Sequence, residues 1–133
     1  LASGRVEKLP VKAGKAVVKP RYFNYLHIHC RGVNLLARRE AKDIWQNLYE
    51  YPLIETGQET ELEVLQQTPA GEIQILRSFI MPKHVLSHRI IYARFYEIEV
   101  ERFSPVMQRF LQVPEEELEQ YAVSRLIALY REK

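Results

Sequence analysis

The sequence predicts an α/β domain, a mixed β-sheet sandwiched between helices. Three observations carry that prediction: aromatic and β-branched segments set apart by turn residues, two helix-period segments that interrupt and close the series, and a length suited to one core. At 133 residues and 47% hydrophobic, the chain can bury roughly two-thirds of the surface its unfolded form exposes. A single hydrophobic core is enough.

Leu1 to Pro20 holds two prolines, two glycines and little apolar periodicity, so residues 1–20 read as a connector arriving from an upstream segment. The first residue, Leu in place of Met, fits a piece of a longer protein. From Arg21 the domain proper, residues 21–133, begins with Tyr22-Phe23-Asn24-Tyr25-Leu26-His27-Ile28-His29-Cys30, a strand by its aromatic and β-branched content. Gly32 permits a turn into a second strand over Val33–Arg38, and a third over Leu48–Ile54 follows the loop carrying Trp45. Thr60–Gln67 reads as a helix, with Leu62 and Leu65 on one face and an acidic first turn that suits the helix dipole. Strands over Glu72–Ile80 and Ile90–Val100 come next. The connection Met81–Arg89 is expected to leave the ladder, because Pro82 has no N–H to donate. A short strand at Arg109–Val113 leads through Pro114, a natural first helical residue, into an acidic stretch. A terminal helix over Val123–Glu132 docks through Leu126, Ile127 and Tyr130.

No apolar run approaches the roughly 18 residues a membrane helix needs, and the first 20 residues lack a signal-peptide core. One cysteine, Cys30, excludes an intrachain disulfide and a cysteine-rich metal site. These features point to a soluble monomer in a reducing, intracellular compartment with no membrane partner. The net charge of +2 is small, but it is segregated. Arg5, Lys8, Lys12, Lys15, Lys19 and Arg21 face only Glu7 in the first 21 residues, and Arg77, Lys83, Arg89 and Arg94 stand in an acid-free stretch. Acids gather at 55–63 and 115–119. Such a division suits a polyanion at one face.

The run Ile44-Trp45-Gln46-Asn47-Leu48-Tyr49-Glu50-Tyr51-Pro52 resembles the segment that precedes the catalytic box in Nudix proteins such as MutT. The box itself is missing. It needs an arginine and three glutamates on one helix to hold magnesium against a pyrophosphate, whereas no arginine lies between Arg39 and Arg77, and Glu59, Glu61 and Glu63 are too closely spaced. A Nudix-like fold without its box is similar to the C-terminal domain of the MutY-type adenine DNA glycosylases. Three segments carry the resemblance: Gly4 to Lys12 as the connector, Arg21 to Leu26 with Ile44 to Pro52 as the first strand and tryptophan loop, and Lys83-His84-Val85-Leu86-Ser87-His88-Arg89 as the loop that reads the damaged base.

The resemblance implies a bacterial cytoplasmic, nucleoid-associated protein in base-excision repair that binds double-stranded DNA containing 8-oxoguanine:A mispairs. It implies a glycosylase domain upstream in cis, with the catalytic residues and an iron-sulfur cluster, and no catalytic residue, metal or cofactor in this fragment. Leu86, Ser87 and His88 are then the lesion-recognition residues, and Lys83, His84 and Arg89 contact the DNA backbone or shape the loop. Leu86 stands where the family commonly has Phe, so any wedge against the base stack is aliphatic. Read without the resemblance, Ser87 and His88 are a solvated turn. His27 and His29 share a strand face, a weak metal signal without a third ligand; Cys30 reads as a small hydrophobe, and Trp45 and Tyr22 to Tyr25 as packing residues. Two other functions stay open: a divergent MutT-like nucleotide pyrophosphohydrolase and a protein-interaction module.

Overall fold

In the computed structural model, residues 19–58 and 73–133 are described. The expected helix Thr60–Gln67 and most of the connector lie outside them. The described residues run through β1 (Lys19–Cys30), β2 (Val33–Arg38), β3 (Tyr49–Glu50), β4 (Leu53–Thr56), β5 (Ile73–Ile80), β6 (His84–Leu86), β7 (Arg89–Val100), β8 (Leu111–Pro114) and an α-helix, α1 (Arg125–Arg131). Short 3₁₀ helices at Met107–Arg109 and Glu115–Gln120 flank β8. These strands form one mixed sheet ordered β3-β2-β1-β7-β5, with β4 on β1, β6 on β7 and β8 on β2.

The spine is the parallel pair β1–β7, in register from Lys19 beside Arg89 to His29 beside Glu99. β1 and β2 join through Arg31 (φ 51°) and Gly32 (φ 82°), both left-handed, the backbone that matches the twist of a two-residue hairpin. Strand alternation divides β1 between two cores. Phe23 and Tyr25 face α1 and join Phe95, Ile91, Tyr51, Leu126, Ile127 and Tyr130 in the principal core. Ile28 packs with Leu35, Tyr96, Ile98 and Val100 in a second cluster, covered by Phe103, Met107 and Phe110. Ser124 caps α1 by accepting from the Ile127 N–H at 3.3 Å, so the helix starts two residues later than its apolar stripe predicts.

Two connections correct the sequence reading. The third strand is broken into β3 and β4 at Tyr51-Pro52, where Tyr51 turns into the core at 1% exposure. Pro52 brings no N–H, but its carbonyl accepts from Leu26 N–H at 2.8 Å and returns the chain to the sheet. The connection Met81–Arg89 does not leave the ladder throughout. Met81 N–H still donates to the Ala93 carbonyl at 3.0 Å, Pro82 and Lys83 alone step out, and β6 rejoins with His84 opposite Ile91 and Leu86 opposite Arg89. A proline forbids a ladder bond only at its own nitrogen. β1 also takes in Lys19 and Pro20, assigned to the connector from sequence.

Candidate functional site

The segment 83–89 folds as a tight hairpin at one end of the sheet. Ser87 and His88 form its two-residue turn between β6 and β7, both exposed, and the Arg89 guanidinium donates to the His88 carbonyl at 2.9 Å. Alternation along β6 sorts the remaining side chains. His84 and Leu86 turn inward, Leu86 half-buried against the principal core. Val85 turns outward and is 63% exposed. Lys83 stands exposed on the outlying step before β6.

Parallel pairing sets Lys19 of β1 beside Arg89 of β7. With Pro20, Arg21 and Asp43 they line an open cleft of about 540 Å³ beside the hairpin. Arg21 is committed elsewhere: it donates to both Asp43 and Glu55 at 2.8 Å. Those bonds raise its pKa above the ordinary arginine value, Glu55 contributing most. The same contact from Arg21 holds Asp43 down at about 2. Asp43 also accepts from Arg39 at 2.9 Å, and Arg39 continues to Glu50 at 3.1 Å. Burial raises the Glu50 pKa, outweighing the opposing pull of Arg39. Lys19 and Arg89 are therefore the exposed cations of this cleft, and each can meet an anion from outside.

Sequence reasoning placed Lys19 in a basic block but missed its position beside Arg89 and this chain of ion pairs. Arg21 is 22 residues from Asp43 and 34 from Glu55; only the i,i+4 spacing of Arg39 and Asp43 was a local signal. It also missed the contact between His84 and Trp45, ring centroids 6.0 Å apart. Trp45 in turn meets Phe23 edge-on at 6.0 Å. His84, expected to touch DNA or shape its loop, packs beneath the hairpin.

A second cleft, about 320 Å³, opens beside α1 between His27, Tyr51, Phe79, Glu97, Glu115, Glu119, Tyr130 and Arg131. Its hydrogen bonds are directional. Asn34 donates through Nδ2 to Glu115 at 3.0 Å, so its Oδ1 accepts from His27 Nε2–H at 2.8 Å. Nδ1 is left to accept from the Tyr130 hydroxyl, also at 2.8 Å. Burial is the main cause lowering the His27 pKa. His29 binds Glu97 at 3.2 Å. Among the described residues no three His, Cys, Asp or Glu side chains converge in a metal-holding group. Glu59, Glu61 and Glu63 lie outside those residues. Cys30, half-buried, donates from its thiol to the Glu101 carbonyl at 3.3 Å.

A family model of the NUDIX domain matches residues 24–133. Among solved structures, the chain is similar to the C-terminal domain of mouse MUTYH, solved in complex with human PCNA. The TM-score is 0.56 at 18% identity, over 84% of this chain and 88% of that one. A Nudix hydrolase from M. smegmatis, RenU, aligns with a TM-score of 0.51 at 10% identity, over 81% of this chain and 78% of its own. At these identities both structures speak for the fold.

Proposed function

The chain belongs to the NUDIX domain family over residues 24–133, and from that premise we propose that it is the lesion-reading C-terminal domain of a MutY-type adenine DNA glycosylase. Its role is to recognise 8-oxoguanine opposite the mispaired adenine, while a catalytic domain upstream in cis, bearing the iron-sulfur cluster, extrudes and excises that adenine. The observation that carries the reading is the Ser87-His88 turn, held out from the sheet between Lys83 and Arg89 with Lys19 alongside. Likeness in fold to the C-terminal domain of mouse MUTYH supports it.

The chemistry suits the lesion. Guanine presents acceptors at N7 and O6; oxidation turns N7 into a donor and adds a carbonyl at C8. The Ser87 hydroxyl can accept from N7–H and donate to a carbonyl, a contact worth roughly 1–3 kcal/mol of discrimination. His88 offers a ring nitrogen to the base or a phosphate. Lys83, Arg89 and Lys19 supply the backbone contacts that set register without reading sequence. Leu86 braces the turn against the core, which leaves Val85 as the aliphatic group available to a base stack.

The test is single-turnover adenine excision by the full-length parent on 8-oxoguanine:A and G:A duplexes, wild type against Ser87→Ala plus His88→Ala. A selective loss on the oxidised duplex is expected. Equal rates on both duplexes, unchanged by the substitutions, would sink the reading. The parent is needed because tethering to a second DNA-binding domain supplies effective concentration that a separate domain lacks. A second reading, a nucleotide pyrophosphohydrolase, draws on the likeness to RenU; it requires magnesium-dependent pyrophosphate release by this chain from an oxidised guanine nucleotide.

A further inference from the structure

The loop between β2 and β3 contains two non-glycine residues in the left-handed region, Trp45 at φ 60° and Asn47 at φ 72°. Asn tolerates that backbone; a bulky aromatic does so only where surrounding contacts over-determine it. Here they do. Asn47 N–H donates to the Arg39 carbonyl at 2.6 Å and Arg39 N–H to the Leu48 carbonyl at 2.9 Å, closing the base of the loop. The Arg39 guanidinium reaches back to the Ile44 carbonyl at 3.0 Å and to Asp43 at 2.9 Å. Asp43 accepts from Ile44 N–H at 2.7 Å and takes a bidentate bond from Arg21 of β1 at 2.8 Å. One carboxylate thus joins the loop to the sheet through two guanidiniums, and both guanidiniums lie over the Phe23 ring, 5.0 and 5.6 Å from its centroid.

What this strained, pinned loop delivers is the Trp45 indole, set between Phe23 of the core and His84 of β6. We infer that the Trp45 loop is the rest on which the hairpin His84–Ile91 sits, with Asp43 and Trp45 as positioning residues that fix the height and tilt of the Ser87-His88 turn. The inference concerns the hairpin's placement; its consequence for lesion reading rests on the function proposed above. β6 has only three residues on β7 and follows the two residues that step out of the ladder, so pairing alone gives its turn little rigidity. A contact beneath the hairpin restrains it without occupying the face that meets a ligand.

The test is amide hydrogen exchange on this chain, with adenine excision by the full-length parent as a second readout. Asp43→Asn should raise exchange at His84–Leu86 and Arg89–Ile91 about tenfold, while amides of the distant Leu35–Gln112 pairing stay as they were. Trp45→Ala should do the same, and Trp45→Phe, which keeps a ring against His84, should restore most of the protection. Unchanged hairpin exchange in Trp45→Ala would overturn the inference, as would a uniform rise across hairpin and distant pairing together. In the parent, Asp43→Asn should narrow the preference for 8-oxoguanine:A over G:A. If the hairpin loosens and that preference stays whole, the positioning stands and the lesion-reading role of the hairpin fails.

Discussion

The face of the sheet under α1 and the hairpin at its end are built on opposite rules. Under the helix, Tyr25, Phe95 and Tyr130 stack at 4.9 and 4.1 Å. Glu115, Asn34, His27 and Tyr130 beside them form one directed hydrogen-bond chain, while Arg131 Nη2 is buried with no partner among the described residues. At the hairpin the inward residues pack on the core, but Ser87 and His88 have exposed side chains with no hydrogen bond to the described residues. A group satisfied within the fold contributes stability and has little left for a ligand, whereas an exposed hydroxyl on a braced turn contributes almost nothing to folding. The two regions should therefore respond to substitution in opposite currencies.

The largest effect belongs to the aromatic stack. Phe95 is fully buried and contacts both Tyr25 and Tyr130, so Phe95→Ala should lower unfolding free energy by about 4 kcal/mol, read from urea denaturation. A loss below about 1 kcal/mol would mean that the region is not the principal core. Next comes Arg39→Met. Arg39 and Glu50 are each 11% exposed and bonded at 3.1 Å; removing the cation leaves a carboxylate that, among the described residues, only the Tyr25 hydroxyl still answers, at 3.3 Å. The expected cost is about 3 kcal/mol. Glu50→Gln made on top of Arg39→Met should recover part of it, and failure to recover would put the cost in lost packing on Phe23.

A smaller effect is written in pH. The His27 pKa is lowered in the fold, mainly by burial, so the unfolded chain binds the proton more readily and stability falls with acidity. This contribution is fully present above the unfolded histidine value near 6.5. It declines below that value and is spent once pH passes the lowered folded one. Melting temperatures of wild type and His27→Gln, compared from pH 7.5 to 5, should differ by a steady gap above about 6.5 that narrows as pH falls below it. A constant gap across that range would mean that His27 binds its proton equally well folded and unfolded, so that burial does not lower its pKa.

Much of this fold was legible because strands announce themselves through alternation and turns through a few special residues. Val33–Arg38 has the bounds its pattern predicts, and the Gly32 turn is where left-handed backbone is needed. The hairpin segment was singled out by its likeness to a lesion-reading loop, but its shape was not legible. Pro82 obscured the return of His84–Leu86 to the ladder, and Tyr51-Pro52 hid a break inside a continuous apolar run. Beyond the i,i+4 pair Arg39–Asp43, the network about Asp43 was invisible for a different reason. Its partners come from β1, β4 and the Trp45 loop, and only the folded sheet brings them within 2.9 Å. Long-range ion pairs leave no period in a sequence.

The smallest effect on stability is expected at the residue with the largest claim on function. Ser87 is exposed at the turn, so Ser87→Ala should shift unfolding free energy by no more than about 0.5 kcal/mol, as surface substitutions usually do. On the proposed function, the same change in the parent enzyme would remove a hydroxyl able to accept from N7–H and donate to a carbonyl, so preference for 8-oxoguanine:A over G:A should fall roughly tenfold. Ser87→Thr keeps the hydroxyl and should keep most of the preference. Ser87→Cys, with a thiol that donates and accepts weakly, should fall between. That ordering, Thr above Cys above Ala at constant stability, separates a hydrogen bond to the lesion from a merely structural turn, for which the three variants would be alike on both duplexes. Loss of excision on G:A to the same extent would assign Ser87 to general DNA binding, and the difference between the hairpin and the helix-covered face would then be one of charge and exposure alone.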